Sequence, residues 1–376
     1  MKTMFDFGRV AALAAFAFVA SADLGIAAQS TPNDAARILA GMPPSQNSPL
    51  GPIAEDSGWK RHAKFFDTAW EKLDKRQLSK VRAWQAKTMP NPQPVLYYMF
   101  SGPDFLYADA FFPKASTYVL SGLEPIGTVP ELSDMPLRSL SGELRQLQSS
   151  LNSVMSYSFF ITNNMRKQLR TGKVNGTLPI IYVFLARLGK TIDEVSLVDL
   201  DQDGAVHPEG KVDAKVATKG VKIAFSAADG RKQTLYYFTT DISNAGFKKN
   251  AGFKKFCEGL GAGDAFIKSA SYLMHSGGFS EVRDFLLQRS MTLLQDDSGI
   301  PVQYFKADDW ELRPYGRYVG PISLFRGNYQ SKLAKLFKSA NREPIDFGVG
   351  YRWRSNESSL LLAVKKPMAA QAGAKQ

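Results

Sequence analysis

The sequence has a single cysteine, Cys257, and only three histidines, His62, His207 and His275. One cysteine cannot form an internal disulfide or build a cysteine zinc site, and three scattered histidines make no histidine-rich metal centre. There is no Gly-x-Ser-x-Gly, no His-Glu-x-x-His and no Cys-x-x-Cys, so the common serine, zinc and thiol hydrolase signatures are missing. Gly189-Lys190-Thr191 fails as a phosphate loop because Phe184 stands where the first glycine is required. Ser57-Gly-Trp-Lys60 has the Ser-x-x-Lys spacing of penicillin-recognising enzymes, but no Lys-Thr-Gly follows it. Long apolar runs are absent too. The best candidate, TLPIIYVFLARLG, is interrupted by Pro179 and Arg187, so no transmembrane segment is expected in the mature chain.

What is present is an ordinary globular composition over 376 residues: 44% hydrophobic, 12% aromatic and 22% charged. That balance excludes a disordered or collagen-like chain. The net charge of +12 attracts anions such as lipopolysaccharide, acidic polysaccharide or phospholipid headgroups. The Lys and Arg residues are spread, with no run longer than two, so the charge also reads as solubility alone and gives no specific nucleic-acid surface.

The N-terminus carries an address. Lys2 and Arg9 precede an uncharged stretch from Val10 to Ala20, and small residues follow at Ala20-Ser21-Ala22 and Ala27-Ala28. Basic, apolar and small-residue segments in that order are a secretory signal peptide, with cleavage expected after Ala22 or Ala28. Eleven apolar residues make about 16 Å of helix, too short for a hydrocarbon core of about 30 Å. The expected location is periplasmic or secreted. A lone thiol suits an oxidising compartment, where a second would risk pairing.

Residues 29–56 hold Pro32, Pro43, Pro44, Pro49 and Pro52 among Ser and Asn and read as an extended linker. One α+β domain is expected over 57–368, with room for two subdomains meeting near 190–240 and a disordered tail at 369–376. Trp59, Phe66, Trp70, Leu73, Leu78, Val81 and Trp84 recur at helical spacing. Strands are expected at 95–100, 116–121, 191–200 and 302–305. Further helices fall at 141–156, 160–171, 178–188, 246–258, 264–275, 279–294 and 326–339. VKIAFSAADGRKQTLYYFTTD is a hairpin turning on Asp229-Gly230, and FGVGYRW with SLLLAVK is a second, C-terminal one. Hairpins mixed with helices argue α+β with a mixed or antiparallel sheet rather than a doubly wound one. Asn244–Lys249 and the next six residues repeat NAGFKK, a local duplication that lengthens a basic helix start.

Several patterns carry chemistry. Asp199-Leu-Asp201-Gln-Asp203-Gly204 places carboxylates at alternate positions before a glycine, as a calcium loop does. Position twelve is Gly210 rather than Glu, so an acidic turn is the competing reading. Gly261–Phe266 resembles the anion-hole segment of ribokinase-like sugar kinases over six residues; an exported chain lacks ATP, and the segment also reads as a link between helices capped by Asp264. Ser101-Gly-Pro-Asp104 ends an apolar strand, where ligand-facing groups are common, and Glu124 follows the next strand likewise. Lys268, Ser271, Tyr272 and His275 are spaced to share one helix face. With Asp296 and Asp297 nearby, His275 could act as an acid–base partner of Asp297 and Lys268 could hold an anion. The competing reading makes His275 a helix end and the two aspartates a turn.

Three segments, YYMFSGPDFLYADAFFP (97–113), KSASYLMH (268–275) and QDDSGIPVQYF (295–305), together resemble a family of exported bacterial proteins. The resemblance implies an envelope setting and supplies no activity. The resulting expectation is a periplasmic protein binding a polar or anionic envelope ligand. Its cleft would be lined by Ser101, Asp104, Tyr107, Glu124 and the Lys268–His275 face, without cofactor unless calcium fills the acidic loop. The alternative is a hydrolase using His275 with Asp296 or Asp297, metal-assisted, with Asp104 in the same centre.

Overall fold

The computed structural model describes residues 31–90, 92–157 and 172–367. The signal segment, the helix expected at 160–171 and the tail at 369–376 lie outside them. Order starts earlier than the proline content implies. Pro32–Leu39 forms helix α1, capped by the Thr31 hydroxyl on the Asp34 amide, and it fully buries Ala36, Ile38 and Leu39. Gly51–Glu55 is a short α2. The expected extended linker is therefore largely folded. Pro32 and Pro52 both sit in first turns, where a missing N–H is harmless and the fixed φ favours helix.

Ser57–Leu73 (α3) and Ser79–Thr88 (α4) are joined without a break by one wide turn, Asp74–Leu78. The expected aromatic stripe faces inward, with Trp59, Phe66, Leu73, Leu78 and Val81 buried and Trp70 and Trp84 packed at the edge. Val95–Tyr98 (β1), Phe105–Phe111 (α5) and Thr117–Gly122 (β2) follow, then Leu137–Tyr157 (α6) and Leu178–Arg187 (α7). No described helix is long and apolar enough to cross a membrane. Thr191–Leu200 (β3), Val206–Pro208 (β4), Thr218–Ser226 (β5) and Lys232–Thr239 (β6) form an antiparallel run ending in the expected hairpin, which turns at Gly230 (φ +84°).

The C-terminal half departs further from expectation. Asn244–Lys249 (α8) and Gly252–Leu260 (α9) are two helices, so the repeat supplies two starts rather than one long one. Gly263–Ile267 is strand β7, not a helix. Ser280–Arg289 (α10) gives way at once to strand β8, Ser290–Gln295. Residues 302–304 form a single 3-10 turn in place of a strand. Trp310–Gly316 (β9) is a further strand, Ser331–Ser339 is α11, and Ser359–Lys365 is β10. β10 pairs with β8 and β9, whereas 347–353 carries only the isolated bridge Val349–Arg352, so the proposed last hairpin does not form.

All ten strands make one mixed sheet, ordered β4-β3-β5-β6-β2-β1-β7-β8-β10-β9, consistent with the expected α+β class. Its centre differs from the expectation that set doubly wound sheets aside. β6, β2, β1, β7 and β8 are mutually parallel. Both faces of that centre are covered: Leu96 and Tyr98 of β1 join the core beneath α1–α7, while Val95 and Tyr97 join the one beneath α8–α10. A strand buried on both sides shows no polar alternation, which is why β7 and β8 were unreadable as strands.

Candidate functional site

Moving outward from β1, the chain first adds β2 on one side and later β7 and β8 on the other. Between β1 and β7 the connections diverge, and the carboxyl ends of the strands there face an open crevice, the usual ligand position in a parallel sheet. A cavity of about 180 Å³ lies at that place. It is lined by the turn after β1 (Phe100, Gly102), the end of β2 (Ser121, Gly122, Leu123, Glu124), the residues after β6 (Thr240, Asp241, Ile242) and the loop after β7 (Ser269, Ala270, Ser271).

The turn is sewn to β2. The Gly102 amide donates to the Ser121 carbonyl at 3.0 Å, and the Ser121 hydroxyl donates to the Met99 carbonyl at 2.6 Å. Ser101, expected as a ligand contact, is buried with its hydroxyl on the Gly102 carbonyl. Glu124 reaches the crevice and is only 4% exposed. Its carbonyl accepts from the Tyr237 hydroxyl at 2.9 Å and the Thr239 hydroxyl at 2.8 Å, so β6 fixes where the residue sits.

Asp104, Tyr107 and Lys268 lie beneath this surface rather than on it. Asp104 caps α5 through the Tyr107 amide, accepts from the Tyr98 hydroxyl at 2.8 Å, and pairs with Lys268 Nζ at 2.8 Å. The Lys268 ammonium also stands 4.2 Å from the centre of the Tyr107 ring. Each charged side chain of the pair is 2% exposed, so Lys268 is committed to Asp104 as the internal counter-ion.

The segment from 268 to 275 is not the expected helix. Lys268 leaves the end of β7, and Ser269, Ser271 and Tyr272 then take positive φ values of 54°, 50° and 56°. Three left-handed non-glycine residues in four positions store strain that neighbours must hold. Asp296 supplies much of that hold. One of its carboxylate oxygens accepts from the Ser269 amide at 2.9 Å; the other accepts from the amide and hydroxyl of Ser298, whose Oγ in turn receives the Ala270 amide at 2.8 Å. The Tyr351 hydroxyl donates to the Ser269 carbonyl at 3.0 Å and lies 2.9 Å from the Ser271 hydroxyl. Sequence reasoning named Asp296 only as a spare base and missed Ser269, Ser298 and Tyr351. The Asp-x-Ser spacing of an Asx turn was the available signal for Ser298.

Tyr272 is buried, and its hydroxyl donates to Asp297 at 2.7 Å while its ring packs edge-on against His275 at 5.1 Å. Burial, with Asp296 adjacent, pushes Asp297 up to about 7. Burial pulls His275 down to about 4. Among the described residues no hydrogen bond joins His275 to Asp296 or Asp297. His275 lines a different groove of about 500 Å³ with Gln303, Asn328, Tyr329 and Gln330, and Asp104 and Asp297 line neither hollow. The acid–base set drawn from the sequence is thus not assembled around one cavity. A further hollow of about 690 Å³, beside Trp310 and Lys365, is lined by none of these residues; Lys365 there is bound to the carbonyls of Leu287 and Gln288.

No family model, curated protein or solved structure matches this chain. Its chemistry follows from its own residues.

The acidic loop and the glycine segment resolve in the same way. Asp199 pairs with Lys219 at 2.8 Å and accepts the Gly210 amide, Asp201 takes the amides of Asp203 and Ala205 and pairs with His207, and Asp203 reaches Lys255. Among the described residues no group of three or more His, Cys, Asp or Glu is placed to hold a metal ion, so the three carboxylates do not converge as a calcium loop requires. Asp264 caps no helix: it sits inside β7 and accepts the amides of Gln93 and Thr292.

Proposed function

We propose that the chain is an exported bacterial protein that binds a polar, hydroxyl-bearing envelope ligand in the crevice beyond β1, β2 and β7. The observation that carries this reading is the buried Glu124, fixed through its backbone carbonyl by the Tyr237 and Thr239 hydroxyls, in the crevice where the parallel strands diverge. Among the described residues the lining includes Glu124 and Asp241 and no Lys, Arg or His. Of the two ligand types expected from sequence, polar and anionic, the polar one fits better, since the described lining offers two acidic residues and no Lys, Arg or His to an anion. Lys268, once the natural anion holder, is neutralised by Asp104.

The cavity is smaller than the 300–1,000 Å³ typical of drug-sized ligands, which favours a group of about one sugar ring. The test is a thermal-shift titration at constant ionic strength with D-glucose, D-glucosamine and ribonucleosides set against inorganic phosphate and heparin. At least one hydroxylated probe should raise the melting temperature of the wild type and not of Glu124→Gln. Stabilisation by phosphate or heparin alone, unchanged in Glu124→Gln, would sink the reading. Export is tested separately, by the mature N-terminus that mass spectrometry finds on protein recovered from the periplasm.

A further inference from the structure

We propose that a hollow at the end of β9 binds a phosphate group, held between Arg317 and Arg342. It has a volume of about 240 Å³ and shares no lining residue with the crevice. Three segments wall it: Gly316 and Arg317 where β9 ends, Arg342 and Ile345 after α11, and Ser355 and Asn356 ahead of β10. Backbone bonds fix these walls before a ligand arrives. The Gly316 amide donates to the Glu343 carbonyl at 2.8 Å, and the Arg317 amide donates to the Ser358 carbonyl at 2.7 Å. Gly316 has a φ of +75°, and a side chain there would lie 2.3 Å from the Ser358 carbonyl oxygen and 2.8 Å from Ile345. Only glycine lets the three segments close to this distance. Buried Ile345 anchors the middle one in the core.

The charge on the hollow has one sign. Among the described residues its lining includes two arginines and no Asp or Glu. The carboxylates that neighbour the lining in sequence are engaged elsewhere: Glu343 pairs with Lys87 at 3.4 Å and Glu357 with Arg352 at 3.3 Å. Among the described residues the side chains of Arg317, Arg342, Ser355 and Asn356 have no hydrogen-bond or ion-pair partner. Two like charges at one small hollow disfavour each other, and a bound anion offsets both.

The kind of anion follows from the donors. A guanidinium is a planar fork of N–H groups that engages two oxygens at once. A carboxylate has two oxygens and fills one fork, whereas a phosphate group has oxygens enough for both. Ser355 and Asn356 add a hydroxyl and an amide donor for those that remain. Free phosphate, a soluble phosphate ester and the headgroup of an acidic phospholipid all present this group.

The experiment is isothermal titration of the full chain at constant ionic strength with inorganic phosphate, glycerol 3-phosphate and acetate. Co-sedimentation with phosphatidylcholine vesicles, with and without phosphatidic acid, runs beside it. At least one phosphate probe should bind, and acetate at least about tenfold more weakly. Arg317→Gln and Arg342→Gln should each lower phosphate affinity by about tenfold or more. Arg342→Lys should recover little of it, because lysine keeps the charge and loses the fork. Arg61→Gln removes one charge from exposed α3 surface and should leave binding unchanged. Binding of the soluble phosphates marks a free phosphate or ester as the source. Binding of the acidic vesicles alone, lost in the same variants, marks a lipid headgroup. An equal loss in Arg61→Gln would make net charge the cause and overturn the proposal. Acetate binding as tightly as phosphate overturns it too, as does silence from every probe; both comparisons need only the wild type. Glu124→Gln should bind phosphate as the wild type does, so this site and the crevice stand or fall separately.

Discussion

At the scale of single residues, the buried charges decide most. Lys268 and Asp104 are sealed from water, and removing one leaves the other unpaired in a low-dielectric interior. Lys268→Met is expected to cost about 3–5 kcal/mol of stability. The double variant Lys268→Met with Asp104→Asn should recover much of that loss, since asparagine keeps the cap and carries no charge. Urea titration of the wild type and the two variants checks it, and equal instability of the single and double variants would count against the pair. His62 gives a pH test. It is buried between the Leu39 carbonyl and Gln148, and burial pulls it down to about 4. A group whose folded pKa lies below its unfolded value of about 6.5 contributes fully above 6.5 and loses that contribution as the pH falls toward 4. Asp297, held up near 7 by burial and Asp296, acts in the opposite sense: its contribution is complete at low pH and fades as the pH rises toward 7. Between pH 6.5 and 4.5 the wild type should therefore lose about 2 kcal/mol more than His62→Gln, measured by denaturant midpoints at both pH values.

At the scale of elements, two segments carry the lesson. α1 was hidden in a proline-rich composition, yet Ala36, Ile38 and Leu39 are fully buried. Leu39→Ala should destabilise the chain by about 2–4 kcal/mol, where a linker residue would cost almost nothing. The strained loop after β7 is the second. Its left-handed residues depend on Asp296, so Asp296→Ala should raise amide exchange at Ser269 and Ala270 by about tenfold or more while α3 and α4 stay protected. Unchanged exchange there would mean that Tyr351 and Tyr272 hold the loop without the carboxylate. The sequence pattern in this stretch was ambiguous for a physical reason. Lys268, Ser271, Tyr272 and His275 have helical spacing, but the preceding GDAFI is buried on all sides, and a short apolar run does not distinguish strand from helix. β9 was missed because Pro314 interrupts it; at the sheet edge a proline is tolerated.

At the scale of the molecule, the two ends of the sheet are antiparallel, but only the β4-β3-β5-β6 end is locally built; the parallel middle and the β8-β10-β9 end bring distant segments together. The hairpin β5–β6, the long α3–α4 helix and the first strands were legible because their contacts are near in sequence and their turns and periodicities are strong. Glu124 and Ser271 were named from sequence and do meet at one crevice, as neighbours of Ser269 and Asp241, which were not named. His275, Asp297 and Asp104 were grouped by chemistry but line no common cavity among those described. Sequence alone determined the mixed class, the helical aromatic stripe and the acidic residues that end strands, since each is written in a local period or a turn. Only the tertiary structure decided the parallel centre, the engagement of Lys268 by Asp104 and the left-handed loop. Each of those depends on residues far apart in the chain competing for the same buried space, and no local pattern records which of them prevails.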